Sequence, residues 1–160
     1  MRTVYRHHGG NFDIVISYDN SIPHLLIDED ILSTLKQIYS CLRPGDGCLI
    51  TIRDYDREQR TDKNIVKPYG KAKIENDKRY VALQVWDFDE TNFHHYDFTL
   101  YIIEEDLKSK NIVIHAMRSL YYAISSDKLI KLMNDAGFIN VNRLDECFYQ
   151  PVFIGIRPFT

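Results

Sequence analysis

The chain has 160 residues, enough for one domain with a buried core, and 44% of them are hydrophobic against 27% charged. Twenty basic and 23 acidic residues leave a net charge of −3, with Lys and Arg scattered along the chain, which argues against a nucleic-acid footprint. No run approaches a membrane-spanning length, "MRTVYRHHGG" has no apolar signal core, and Cys41, Cys48 and Cys147 show no C-x-x-C spacing, so a soluble cytoplasmic protein with reduced thiols is expected.

"FDIVIS", Phe12 to Ser17, is continuously apolar rather than alternating, which predicts a strand buried on both faces. The chain then turns polar at Ser17, Tyr18, Asp19, Asn20 and Ser21. "DEDILSTLKQIYSCLRPGDG" predicts a helix: Asp28, Glu29 and Asp30 suit its N-terminal end, Ile31, Leu35, Ile38 and Leu42 recur at helical spacing, and Pro44 and Gly45 stop it. "CLITIR", Cys48 to Arg53, predicts a second strand, and strand–helix–strand with tight connections is a parallel βαβ unit. A polar loop from about Asp56 to Asp77 follows. Three runs rich in aromatic and β-branched residues, Arg79–Glu90, His95–Asp106 and Asn111–Ala123, then predict an antiparallel meander. Ser125 or Ser126 caps a helix with Leu129, Leu132, Met133 and Ala136 on one face, and Gly137 closes it. "FINVNRL" and "PVFIGIR" are the final strands. A single domain over 1–160 is expected, with the antiparallel insertion at about 79–123.

In this order, "FDIVISYDNSIPHL", the helix ending "LRPGDG", the strand "CLITIRDYD" and "LIKLMNDAGFINV…PVFIGIRP" resemble the second half of a class I S-adenosylmethionine-dependent methyltransferase. The resemblance is strongest to the glycine N-methyltransferase type, where an Asn-Ser pair follows strand four, Arg-x-Tyr-Asp follows strand five, and an antiparallel insertion ends in Arg-x-x-Tyr-Tyr. Here these are Asn20-Ser21, "RDYD" at Arg53 to Asp56, and "RSLYY" at Arg118 to Tyr122. The implied fold is α/β: a partial Rossmann-like methyltransferase sheet, strands four to seven, with an inserted three-stranded antiparallel meander. The family's first half, with its glycine-rich turn and the acidic residue ending strand two, has no counterpart, since the seven glycines form no G-x-G turn after a strand. Strand Phe12 to Ser17 is therefore expected to be a sheet edge with an apolar face. A truncated product, a split enzyme completed by an N-terminal half, and a homo-oligomer pairing across that edge would each account for it.

The resemblance also implies a site. Arg53 ends a strand on the ligand side of an open α/β sheet and resembles the arginine that grips a substrate carboxylate. The alternative is an arginine paired with Asp54, Asp56 or a helix end. Asn20 corresponds to a position near the transferred methyl and the amine, although an Asn turn capping the next segment would explain it equally. Tyr18, Asp19, Ser21 and His24 are implied cofactor contacts. Tyr55, Arg118 and Tyr122 are implied on the substrate side, and Tyr121, with Asn20, as a catalytic residue that orients the substrate. Alternation lets only one of the two adjacent tyrosines point inward, and core packing suits Tyr122. "DKNIVKPYG" resembles the family's Lys-Asn-Ile segment but has Val66 and Lys67 where tyrosines follow, which argues against glycine as the substrate; Tyr69 is a weak substitute.

The expected chemistry is in-line transfer of a methyl group from the sulfonium of S-adenosylmethionine to a neutral amine on a small amine or amino acid. That reaction needs alignment and desolvation rather than an acid–base dyad. This chain alone is expected to be weak or inactive. The rival reading is a non-enzymatic remnant or subunit that binds a small ligand or a partner chain. A nicotinamide-dependent oxidoreductase is weaker still, because its glycine fingerprint is missing too. His7-His8 and His94-His95 diverge in extended chain, and no spacing supports a metal site.

Overall fold

The computed structural model describes residues 1–58, 64–89, 91 and 94–159. Its elements run α1 (Val4–His8), β1 (Phe12–Ser17), a single 3-10 turn (Ile22–His24), α2 (Asp28–Cys41), β2 (Leu42–Thr51), β3 (Asn64–Pro68), β4 (Lys73–Glu75), β5 (Lys78–Phe88), β6 (His95–Asp106), β7 (Ile112–Tyr122), α3 (Ser126–Asp135), β8 (Ile139–Leu144) and β9 (Val152–Ile156). They form two compact units: Met1–Glu58 with Tyr122–Thr160, and Gln59–Tyr121. The second begins well before Arg79, where the sequence marks the insertion.

The first unit is built on a four-stranded sheet of order β1-β2-β9-β8. β1 and β2 are parallel, with Val15 opposite Cys48 and Ser17 opposite Ile50, and α2 makes the crossover between them. β9 lies antiparallel to β2, and β8 antiparallel to β9. The acidic first turn of α2 is as expected, and its buried face is Ile31, Thr34, Leu35, Ile38 and Cys41. Leu42 is a correction: it leaves the helix and opens β2, so that strand begins six residues before Cys48. The cause is Pro44, which disfavours helical backbone at Arg43 and drives the chain extended. β2 ends at Thr51, leaving Arg53 in the turn beyond it. Ser125, not Ser126, caps α3, accepting a hydrogen bond from the Lys128 N–H at 3.3 Å.

The two faces of this sheet differ. On one, Cys48, Ile50 and Phe153 are buried, and the Gly155 backbone lies so close to Met133 and Phe138 that a Cβ would stand 3.0 Å and 3.1 Å from their nearest atoms. This is the face that meets α2 and α3. On the other, Ile14 and Ile16 are 54% and 57% exposed, and Leu49, Ile154 and Ile156 are half-buried. Burial of β1 on both faces is thus corrected. It is an edge strand, and Phe12, Ile14 and Ile16 on one side of it are exposed. The apolar edge expected from the sequence is present.

The second unit is a five-stranded sheet, with β3, β5, β6 and β7 in order and β4 also paired to β5. β5 and β6 form an unbroken antiparallel ladder from Lys78–Asp106 to Phe88–Tyr96. Trp86, Phe88, Tyr96 and Phe98 are buried on one side, where the Trp86 and Tyr96 rings stack at 5.1 Å. The three-stranded meander is present as β5, β6 and β7. The polar segment before it was expected to be a loop, but it contributes β3 and β4. Their side chains are mostly polar or exposed, so the sequence carries little apolar alternation to reveal them. Lys63 lies outside the described residues.

Candidate functional site

β1 and β2 point their carboxyl ends the same way, and the turns that follow meet there. After Ser17 the chain reverses through Asp19 and Asn20, both left-handed at φ 53° and 62°. Asp and Asn are the non-glycine residues that tolerate this region best. Thr51, the last residue of β2, holds the turn: its Oγ1 accepts from the Asp19 N–H at 2.9 Å and its carbonyl from the Asn20 N–H at 3.2 Å.

Asn20 is only 3% exposed. Its Oδ1 accepts two hydrogen bonds, from the Arg53 backbone N–H at 3.0 Å and the Tyr55 hydroxyl at 3.0 Å. Its Nδ2 is buried, with no acceptor among the described residues. The two turns are therefore tied together through one carboxamide. Tyr55 is 2% exposed, so its ring is core and its hydroxyl is engaged with Asn20. Arg53 is half-buried in the same turn.

The neighbouring carboxylates are engaged as well. Asp54 takes Arg143 through both guanidinium nitrogens, at 2.6 and 3.4 Å, and Asp56 accepts the Ser126 N–H at 2.9 Å, beside the first turn of α3. Arg143 also donates to Asp145 at 2.8 Å, and these hydrogen bonds raise its pKa above the ordinary guanidinium value.

Around this centre Tyr18 is 47% exposed and packs against Phe148, with ring centroids 5.2 Å apart. Asp19 accepts the Tyr149 hydroxyl at 2.6 Å, and that hydrogen bond, with burial and the Asp19 charge, pushes the phenol pKa up. Ser21 Oγ donates to the Tyr18 carbonyl at 2.5 Å, closing the turn on itself. His24 is exposed in the 3-10 turn.

The remaining candidates are Tyr122, Arg118, Tyr121 and Tyr69. Tyr122 belongs to the first unit and is 8% exposed. Its hydroxyl donates to Asp28 at 2.9 Å, and burial, with Asp28 beside it, pushes its pKa up to about 12. Arg118 and Tyr121 belong to the second unit. Arg118 is exposed on β7, while Tyr121 is half-buried and stacks on Tyr96 at 5.4 Å. Tyr69 is exposed beyond β3.

Sequence reasoning missed Thr51, Arg143, Tyr149 and Gln150. Gln150 is 8% exposed, with a buried Oε1 that has no donor among the described residues. It lies two residues before Val152, which pairs with Thr51, so β9 delivers it to this same end of the sheet. Only the pairing of β2 with β9 places it there, and no local motif marks it. A cleft of about 430 Å³ sits at the other end of β1, lined by Tyr5, Asn11, Tyr39, Ser40, Pro44 and Arg157. Arg157 donates there to the Tyr39 and Leu42 carbonyls, terminating α2, which is a structural duty. Among the described residues no cluster of His, Cys, Asp and Glu could hold a metal ion, and no helix is long and apolar enough to cross a membrane.

No family model and no curated protein matches this sequence. Solved structures do match its fold. An amino pentose methyltransferase of calicheamicin biosynthesis from Micromonospora echinaspora, solved with S-adenosylmethionine bound, superposes with a TM-score of 0.77 at 13% identity, covering 93% of this chain and 59% of that one. DesVI from Streptomyces venezuelae gives 0.76 at 14%, covering 94% and 60%. A sugar N-methyltransferase from a Streptoalloteichus species gives 0.70 at 12%, covering 94% and 58%. The fold is therefore the α/β fold of S-adenosylmethionine-dependent methyltransferases, and the chain spans about three fifths of the structures it matches.

Proposed function

We propose that this chain is the acceptor-side portion of an S-adenosylmethionine-dependent N-methyltransferase acting on a small-molecule amine or amino acid. One observation carries the reading. Asn20 and Arg53, on the turns after two adjacent parallel strands, are joined by a 3.0 Å hydrogen bond at the carboxyl edge, the side on which open α/β sheets bind ligands. The structures it resembles include enzymes that methylate amino sugars, which makes an amino sugar a substrate class to try beside amino acids.

The residues present fit one side of such a cofactor. Tyr18, Asp19, Ser21 and His24 would border it at the end of β1, whereas no glycine in the 160 residues forms a G-x-G turn after a parallel strand. Bound there, the cofactor supplies an electrophilic methyl on a good leaving group. The chain's share is positioning: Arg53 anchors an acidic or hydroxylated substrate, and the Asn20 turn sets its depth. The bare β1 edge and its apolar face then receive the donor-side polypeptide, which is the shortfall against the matched structures. Titration calorimetry with S-adenosylmethionine tests the reading. Weak, saturable binding that strengthens in the presence of an amino-sugar or amino-acid substrate is the expected result. No binding by a chain with an intact circular dichroism spectrum would favour a ligand-binding remnant without catalysis.

A further inference from the structure

The Asn20 carboxamide is held in one sense only. The Arg53 backbone N–H can donate and never accept, so the atom 3.0 Å from it must be the side-chain oxygen. The Tyr55 hydroxyl fills the second lone pair of that same oxygen, also at 3.0 Å. What remains is the NH2 group, which is 97% enclosed with its residue and has no acceptor among the described residues. An unpaired buried donor is costly to keep, because its lost hydration is not replaced. Native folds that keep one usually hold it for a water or a ligand.

We propose that Asn20 is a donor-only contact for an acceptor oxygen of the bound ligand, and that Tyr55 is the positioning residue that keeps it so. This rests on reading the edge as the methyl-acceptor site and changes what Asn20 does there. A neutral amine must keep its lone pair for the incoming methyl, and an N–H donated to that nitrogen would occupy the lone pair. Asn20 has no free oxygen with which to accept from the amine instead. It therefore grips an oxygen beside the amine, as in an amino acid or an amino alcohol, and leaves the nitrogen unencumbered.

The test follows the Asn20 side-chain NH2 resonances by heteronuclear NMR while acetate, ethanolamine or methylammonium is titrated into the full chain. Acetate, ethanolamine or both are expected to shift those two resonances saturably, and comparing them tells a carboxylate from a hydroxyl. Methylammonium is expected to leave them in place. Asn20→Asp keeps an oxygen toward Arg53 and Tyr55 but has no NH2, so the Arg53 backbone amide, bonded to that oxygen, is followed in both proteins, and its saturable shift should vanish in the variant. Tyr55→Phe keeps the ring and should weaken the response up to about tenfold, the worth of one hydrogen bond. No shift with either oxygen-bearing probe, or an equal shift with methylammonium, overturns the proposal, as does a cross-peak to a buried water that neither probe displaces. An unchanged response in Tyr55→Phe removes the positioning role. The wild-type titrations decide the matter even if Asn20→Asp does not fold. None of these readouts involves methyl transfer, so an inactive chain with responsive resonances counts against the enzyme reading alone.

Discussion

Individual side chains at the carboxyl edge are built more rigidly than their sequence motif suggests. Tyr55 reads as a substrate contact in "RDYD", yet its ring is core and its hydroxyl is engaged, so Tyr55→Phe is expected to cost about 1 kcal/mol in urea denaturation. Arg143 answers to four groups, Asp54, Asp56, Asp145 and the Ser126 hydroxyl. Arg143→Met should therefore destabilise the fold by about 1–3 kcal/mol, because Asp54, whose side chain is only 16% exposed, would keep its charge with a weaker partner in Arg57. Two buried acids contribute to the alkaline limb of stability. Cys48 rises from 9.0 to about 12 through burial, and Tyr122 from 10.0 to about 12 through burial and the Asp28 carboxylate. Both are favoured protonated in the fold, so their contribution is complete below pH 9 and is lost as pH climbs to about 12. Denaturation midpoints across that range should fall, and Tyr122→Phe should flatten the portion above pH 10. An unchanged slope in that variant would show the tyrosine is not the cause.

At the scale of elements, the first sheet packs one face on α2 and α3 and leaves Ile14 and Ile16 of the other exposed. Gly155 lies under α3, where an added methyl would meet Met133 and Phe138 at 3.0–3.2 Å, so Gly155→Ala should overpack the sheet and cost about 1–3 kcal/mol. Two strands over, Ile14 points into the open and Ile14→Lys should change stability by no more than about 0.5 kcal/mol. Thermal melts of the two variants give a direct comparison. Similar losses in both would mean that the outer face is covered after all. The cap of α3 is a smaller matter: Ser125→Ala removes a single 3.3 Å bond.

For the whole molecule, the governing feature is a sheet with a bare edge beside a bare face. Ile14 and Ile16, flanked by Leu49, Ile154 and Ile156, make an apolar surface of the kind that folded proteins rarely leave uncovered. The isolated chain should therefore bind the dye ANS while native and run large on size-exclusion chromatography. The double variant Ile14→Lys/Ile16→Lys should abolish most of both effects while keeping the same circular dichroism. A native wild-type chain that neither binds dye nor associates would remove the case for a covering polypeptide.

The order of β1, α2, β2, β5 to β7, α3, β8 and β9 was legible from the sequence, whereas α1, β3 and β4 were not. The former rest on local rules: continuous apolar runs, helical spacing, a capping serine, a closing glycine at φ 103° and the alternation of β5 to β7. These fix each segment against its own neighbours in the chain. The edge at β1 followed from the resemblance instead, because the family's first-half motifs have no counterpart among these 160 residues. Long-range pairing decided the rest. That Tyr55 is clamped to Asn20, that Arg143 reaches Asp54 across 89 positions, and that Gln150 arrives opposite the end of β2 all depend on β1, β2 and β9 lying side by side. A side chain's role follows from what is packed against it, and only the assembled sheet sets those neighbours.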